Sequence, residues 1–208
     1  MKNNAGFYKS NKLNILLAAF ILLAINLGCN FSCGKFAETS TDQSGGEEAN
    51  KLVREANSII EKANQLVGKA NLLQNELLSK DSLKGVEDFE KYNSDNKAKF
   101  DELIKLREDA AKSMEDAAAK FGKVSEMNTN DKFKEYNNSI AQGCKKAAEI
   151  QKAGATFVKS YLAEKDAEKL STLFADHSKK DAELTKELTS LEEKTAKIKN
   201  DNPDVFKK

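Results

Sequence analysis

Residues able to do chemistry are few in this chain of 208 residues. Its single histidine, His177, precedes Asp181 by one helical turn, which puts both on the same helix face. Such a pair can handle a proton or sense pH, or it can simply be a hydrogen-bonded residue and its neighbour at a core boundary. One histidine and three cysteines (Cys29, Cys33 and Cys144) leave no His or Cys–His cluster with metal-ligand spacing. Cys144 falls on the apolar side of a helical pattern and reads as a small buried hydrophobe; a dimer-forming thiol or a bridge to Cys33 are the alternatives. No GxxxxGK or GxGxxG stretch is present to cradle phosphate. Acid pairs such as Glu192–Glu193 are interspersed with lysines, the pattern of a solvated helix face. Neither catalysis nor a metal or cofactor is expected.

Binding surfaces remain. The stretch "GKVSEMNTND", 122–131, combines a glycine with a cluster of turn formers and reads as the clearest connection between helices. Loops free side chains from packing, so Val124, Ser125, Glu126, Met127, Asn128, Thr129, Asn130 and Asp131 form the candidate partner loop. Val124 and Met127 either anchor a partner or plug the end of the fold. At the other candidate position, Lys208 combines a side-chain ammonium with the terminal carboxylate, a shape that lysine-binding pockets accept; a solvated tail is the plain alternative.

The elements that must position these residues are helical. One proline, ten glycines and 32% charged residues describe a chain with few turns and long polar faces, and no convincing alternating strand pattern occurs. In "EEANKLVREANSIIEKANQLVGKANLL", 47–73, four rows repeat every seven residues. Ala49, Ala56, Ala63 and Ala70 form one row, with Leu52, Ile59, Leu66 and Leu73 about 60° to one side and Val53, Ile60 and Val67 about 40° to the other. That stripe, about 100° wide, suits a helix packed on a bundle. Asn50, Asn57, Asn64 and Asn71 lie at its edge, where helix propensity does not account for them. A second apolar series runs from Val86 through Phe100 and Leu103 to Phe121, interrupted by "NSDN" at 93–96. A third runs from Phe133 through Cys144 and Gln151 to Leu162, and a fourth from Leu170 through His177 and Asp181 to Ile198, stopped by Pro203. The boundary between these last two is placed at 163–169, since one helix of about 70 residues would reach roughly 100 Å. The expected fold is all-α, an elongated antiparallel bundle of about four long helices. A looser helical hairpin or a coiled-coil dimer is the alternative, so monomer and dimer both stay open.

The first thirty residues read as an address. Lys2, Lys9 and Lys12 are the only charges before Cys29, and the apolar run "LNILLAAFILLAINL" ends at Gly28–Cys29. This is the layout of a signal peptide, 1–28, and the run is short for a membrane span. The closing "LGCN" resembles the lipobox of bacterial lipoproteins, in which the cysteine is acylated and becomes the first residue. Asn26 departs from the usual leucine of that motif, and Cys33 is a weaker competitor behind Phe31 and Ser32. The resemblance implies lipidation at Cys29, a polar tether over 29–46 and a helical domain over 47–208. Without the first 28 residues the chain has 31 basic and 33 acidic residues, a balance that gives no electrostatic reason to expect nucleic acid.

Lipobox, polar tether and Lys/Glu/Asn-rich helices together resemble Borrelia surface lipoproteins, and in size and layout the factor H-binding lipoprotein family of relapsing-fever spirochaetes. That resemblance implies an outer-membrane protein, lipid-anchored and surface-exposed, that binds host complement factor H and also plasminogen. On it, the 124–131 loop would be the factor H contact and Lys208 a plasminogen contact. Two other classes stay open: an adhesin for extracellular matrix or glycosaminoglycan, and a periplasmic structural lipoprotein.

Overall fold

The seven-residue repeat builds one continuous helix, α1 (Gly46–Leu78). The computed structural model describes residues 46–206 apart from 84, 85 and 87. The expected signal peptide, Cys29, Cys33, the expected tether as far as residue 45 and Lys208 lie outside the described residues, while Gly46, expected as the tether's last residue, opens α1. Gly46 enters α1 at a φ of 67°, a left-handed conformation in which glycine has no Cβ to clash. The alanine row is wholly buried, and the Val53, Ile60 and Val67 row beside it is buried too, with Gln74 as its fourth member. The leucine row is half-buried on one edge; on the other, Asn50 is buried and Asn57, Asn64 and Asn71 are half-buried. Both edges are therefore rims, and the Ala/Val stripe between them is the packing face.

Helix α2 (Lys80–Leu83) and helix α3 (Phe89–Asp95) follow as short pieces. Asp88 caps α3 by accepting from the Lys91 amide at 2.9 Å, and Asn96 separates it from α4 (Lys97–Glu126). The expected second series thus divides at the "NSDN" interruption. Helix α4 lies antiparallel on α1: Glu55 meets Lys120 at 2.5 Å and Glu76 meets Lys99 at 2.6 Å, pairs three heptads apart on both helices.

Helix α5 (Asp131–Ala163) returns along α4, with Glu108–Lys159 and Glu115–Lys152 pairs one heptad apart on each. Helix α6 (Ala167–Asp201) then runs back along α5 through Lys146–Glu187 and a Ser139–Thr195 hydroxyl bond, both 2.8 Å. The expected break at 163–169 falls at 164–166, where the Asp166 carboxylate caps α6. Close packing follows chain order, α1 on α4, α4 on α5, α5 on α6. The result is an all-α antiparallel bundle with no strand among the described residues. The start of α1, the α4–α5 turn and the end of α6 share one end, called here the Met127 end; α3 and the α5–α6 turn form the opposite Tyr92 end.

Candidate functional site

The bundle's apolar packing is split in two. At the Met127 end, α1 from Ala49 to Ala63 packs with Ala111 to Val124, Phe133 to Ile150 and Leu184 to Ile198. At the Tyr92 end, Ala70, Leu77, Leu103, Phe157, Tyr161 and Phe174 belong to a second core. Between them lies a layer in which polar side chains are buried beside Val67, Ala110 and Ala155.

Arg107 of α4 is its centre, 3% exposed on the core stripe between Leu103 and Ala110. Its Nη2 donates to Gln74 Oε1 at 2.5 Å and to Asn71 Oδ1 at 3.3 Å, both on α1, and its Nη1 donates to Gln151 Oε1 on α5 at 2.8 Å. Its Nε has no hydrogen-bond partner. All three acceptors are neutral amides, and burial pulls the guanidinium down to about 10, opposed by the charge of Asp181 on α6. Gly154 of α5 leaves room for this side chain: a Cβ there would sit 2.9 Å from Arg107 Cδ.

Helix α6 contributes the two residues that the sequence singled out. The His177 ring stacks on Phe157, with centroids 4.3 Å apart and planes 11° from parallel. Burial, then the Arg107 and Lys180 charges, push His177 down to about 4. Asp181 is raised by burial, against the opposing pull of Arg107. Arg107 therefore joins the predicted pair to α1 and α5, and the layer is assembled from four helices. Hydrogen bonds tie Arg107 to α1 and α5, and charge alone links it to His177 and Asp181. Among the described residues no group of three His, Cys, Asp or Glu side chains could hold a metal ion.

The predicted partner loop is placed differently from its expectation. Helix α4 continues through Val124, Ser125 and Glu126, so only Met127 to Asn130 connect the helices, and Asp131 opens α5. Val124 has no exposed surface and belongs to the core, which removes it as a partner contact; Met127 is half-buried against the same core. Gly122 looked like a breaker, yet the Ser125 hydroxyl returns to its carbonyl at 2.6 Å and burial of Val124 holds the turn helical. Asn130 caps α5, its Oδ1 accepting from the Lys132 amide at 2.8 Å and the Phe133 amide at 3.4 Å. What the loop shows to solvent is Glu126, Asn128, Asn130 and Asp131, with Ser125 and Thr129 half-buried. Phe206 folds back beside this end, 4.7 Å from the Tyr136 ring. Cys144 is a buried free thiol, as its apolar position predicts.

Arg107 and Gln74 are the residues that sequence reading missed. Their signal was positional: Arg107 continues the Leu103–Ala110 stripe at helical spacing, and Gln74 stands where the heptad calls for another valine. Compared with protein-family models, curated proteins and solved structures, the chain matches none. Among the described residues no helix is long and apolar enough to cross a membrane.

Proposed function

We propose that this chain is a lipid-anchored outer-surface protein that recruits host complement factor H, with plasminogen as a second ligand, and catalyses nothing itself. The observation that carries this reading is the junction between a lipobox-type leader and a helical bundle whose first helix starts at Gly46, directly after the polar stretch. The family resemblance supplies the ligand. Factor H held at the surface would stay active as a cofactor for cleavage of deposited C3b, so amplification of complement would be damped by recruitment alone.

A glycosaminoglycan adhesin is the alternative reading. Affinity for a polyanion needs a stripe of uncompensated lysines. Lys97, Lys99, Lys120, Lys132, Lys146, Lys152 and Lys159 each bridge a carboxylate, whereas α6 carries exposed Lys179, Lys180, Lys186, Lys194 and Lys197, the residues on which a salt-dependent polyanion affinity would have to rest. With an anchor at Cys29, the chain enters the bundle at the Met127 end, and the Tyr92 end is the one remote from that entry. Two surfaces then compete for the partner: the polar face of the 127–130 turn and the Tyr92 end.

A serum pull-down with the detergent-solubilised full chain tests the proposal. Factor H is expected in the eluate; its absence, with a bait that is helical by circular dichroism, overturns the reading. Replacing Met127–Asn130 by a Gly/Ser turn then locates the contact. Lost binding assigns it to that turn, and retained binding moves it to the Tyr92 end or the helix faces.

A further inference from the structure

The polar layer divides the bundle into two cores that share no apolar side chain. We propose that this layer is an acid-responsive joint: a proton on His177 opens the Tyr92 half of the bundle while the Met127 half stays packed. The inference is independent of the recruitment reading.

Three features of the geometry carry it. First, the joint already holds a buried cation whose hydrogen-bond acceptors are only the amides of Asn71, Gln74 and Gln151. A second cation there has Asp181, one turn along α6, as the carboxylate to turn to, and Arg107 already draws on that charge. Second, His177 lies flat on Phe157, and Phe157 meets Phe174 edge-on at 4.9 Å inside the Tyr92 core. Hydrating a charged His177 therefore disturbs a ring pair that holds that half together. Third, α6 packs closely on α5 alone, and it enters from the short 164–166 turn. Its first turns are held through Leu170 and Phe174 in the Tyr92 core, where Phe174 also meets the Tyr161 ring at 5.9 Å, so the rings that adjoin the His177 stack are the ones that retain this end of α6.

The charges around His177 agree with this direction. Helix α4 faces it with Arg107; α6 itself brings Lys180 and Asp181; α5 offers the Phe157 ring, and α1 reaches the layer only through amides. Near neutral pH, Arg107 and Asp181 offset each other and His177 is uncharged. In acid, His177 gains its proton against the charges of Arg107 and Lys180. Two cations, Arg107 and His177, then share the layer, with Asp181 as the carboxylate beside them.

Hydrogen exchange on the detergent-solubilised full chain tests the proposal, comparing about pH 7 with about pH 4.5 after correction for intrinsic rates. Protection is expected to fall on the order of 50-fold in the Tyr92 half, at 70–78, 100–106, 157–163 and 170–177. Amides at 53–63, 114–121 and 136–148 are expected to keep theirs. His177→Phe retains a ring on Phe157 without a proton to gain, and should abolish the difference. Equal loss in both halves, or the same loss in His177→Phe, overturns the joint. An independent arm is the proton NMR titration of His177, assignable at once because it is the only histidine. A midpoint below pH 5 is expected; one near 6.5 would mean that the layer does not resist the proton, and would overturn the proposal as well.

Discussion

Arg107 is held by neutral acceptors, so each of its partners matters more than its own charge suggests. An isolated buried cation is costly, and an acceptor removed from it leaves an unpaired donor costing about 1–3 kcal/mol. Gln74→Leu should therefore destabilise the bundle by about 2 kcal/mol although it restores the heptad's apolar row. Replacing Arg107 by Met together with Gln74→Leu and Gln151→Leu should leave stability at or above that of the parent, since the donor and its two buried acceptors vanish together and Asn71, half-buried, keeps access to water. Denaturant midpoints of the single and triple variants check both statements. Gly154 offers a sign test. In a helix interior Gly→Ala ordinarily adds up to about 1 kcal/mol. Here the added Cβ would press on Arg107 at 2.9 Å, so Gly154→Ala should lower the midpoint in the parent and raise it in an Arg107→Met background. The asparagine row also resolves partly at this scale: Asn71 is an Arg107 acceptor, and Asn50 is buried at the rim facing away from the Glu55–Lys120 edge.

Helices owe their boundaries to caps and to burial, and the two were not equally legible. Asp166 accepts from the Glu168 and Lys169 amides at 2.9 and 3.2 Å, satisfying donors that α6 cannot pair internally. Asp166→Ala should cost about 1 kcal/mol and raise exchange in the first turn of α6, measurable by denaturation and amide exchange. That boundary was readable because compactness demanded a break somewhere in 163–169, and the acidic cap stood within it. The α4–α5 turn was read too long, since the residue types of 122–126 suggest a loop while packing of Val124 makes a helix. Propensity is a weak prior beside a fully buried valine. The heptad rows of α1 were legible because a strict repeat fixes a face. What the repeat did not reveal was its interruption by Gln74, whose meaning depends on an arginine 33 residues along the chain.

At the scale of the whole molecule, the all-α bundle followed from composition and periodicity, while the polar layer needed four helices in register before it existed. His177 and Asp181 were visible as a pair in the sequence; Arg107, which sets their charge balance, was not. Linkage gives the pH dependence its sign. His177 is lowered to about 4 in the folded chain, so its contribution to stability is complete above its unfolded value of 6.5 and is lost as pH falls from there toward 4. The loss reaches about 3 kcal/mol. Asp181 works the other way: with its folded value raised, it penalises the folded state while charged and relieves it as pH falls through its own titration. The net decline therefore starts below about pH 6.5 and should be absent in His177→Phe, as chemical denaturation followed by circular dichroism at stepped pH would read. The central claim, however, is recruitment from a membrane anchor. Its most direct test is a titration of purified factor H onto the full chain held in lipid vesicles at neutral pH. Saturable binding that leaves factor H competent to support C3b cleavage is the predicted result; no binding to a folded, vesicle-anchored chain would contradict the account.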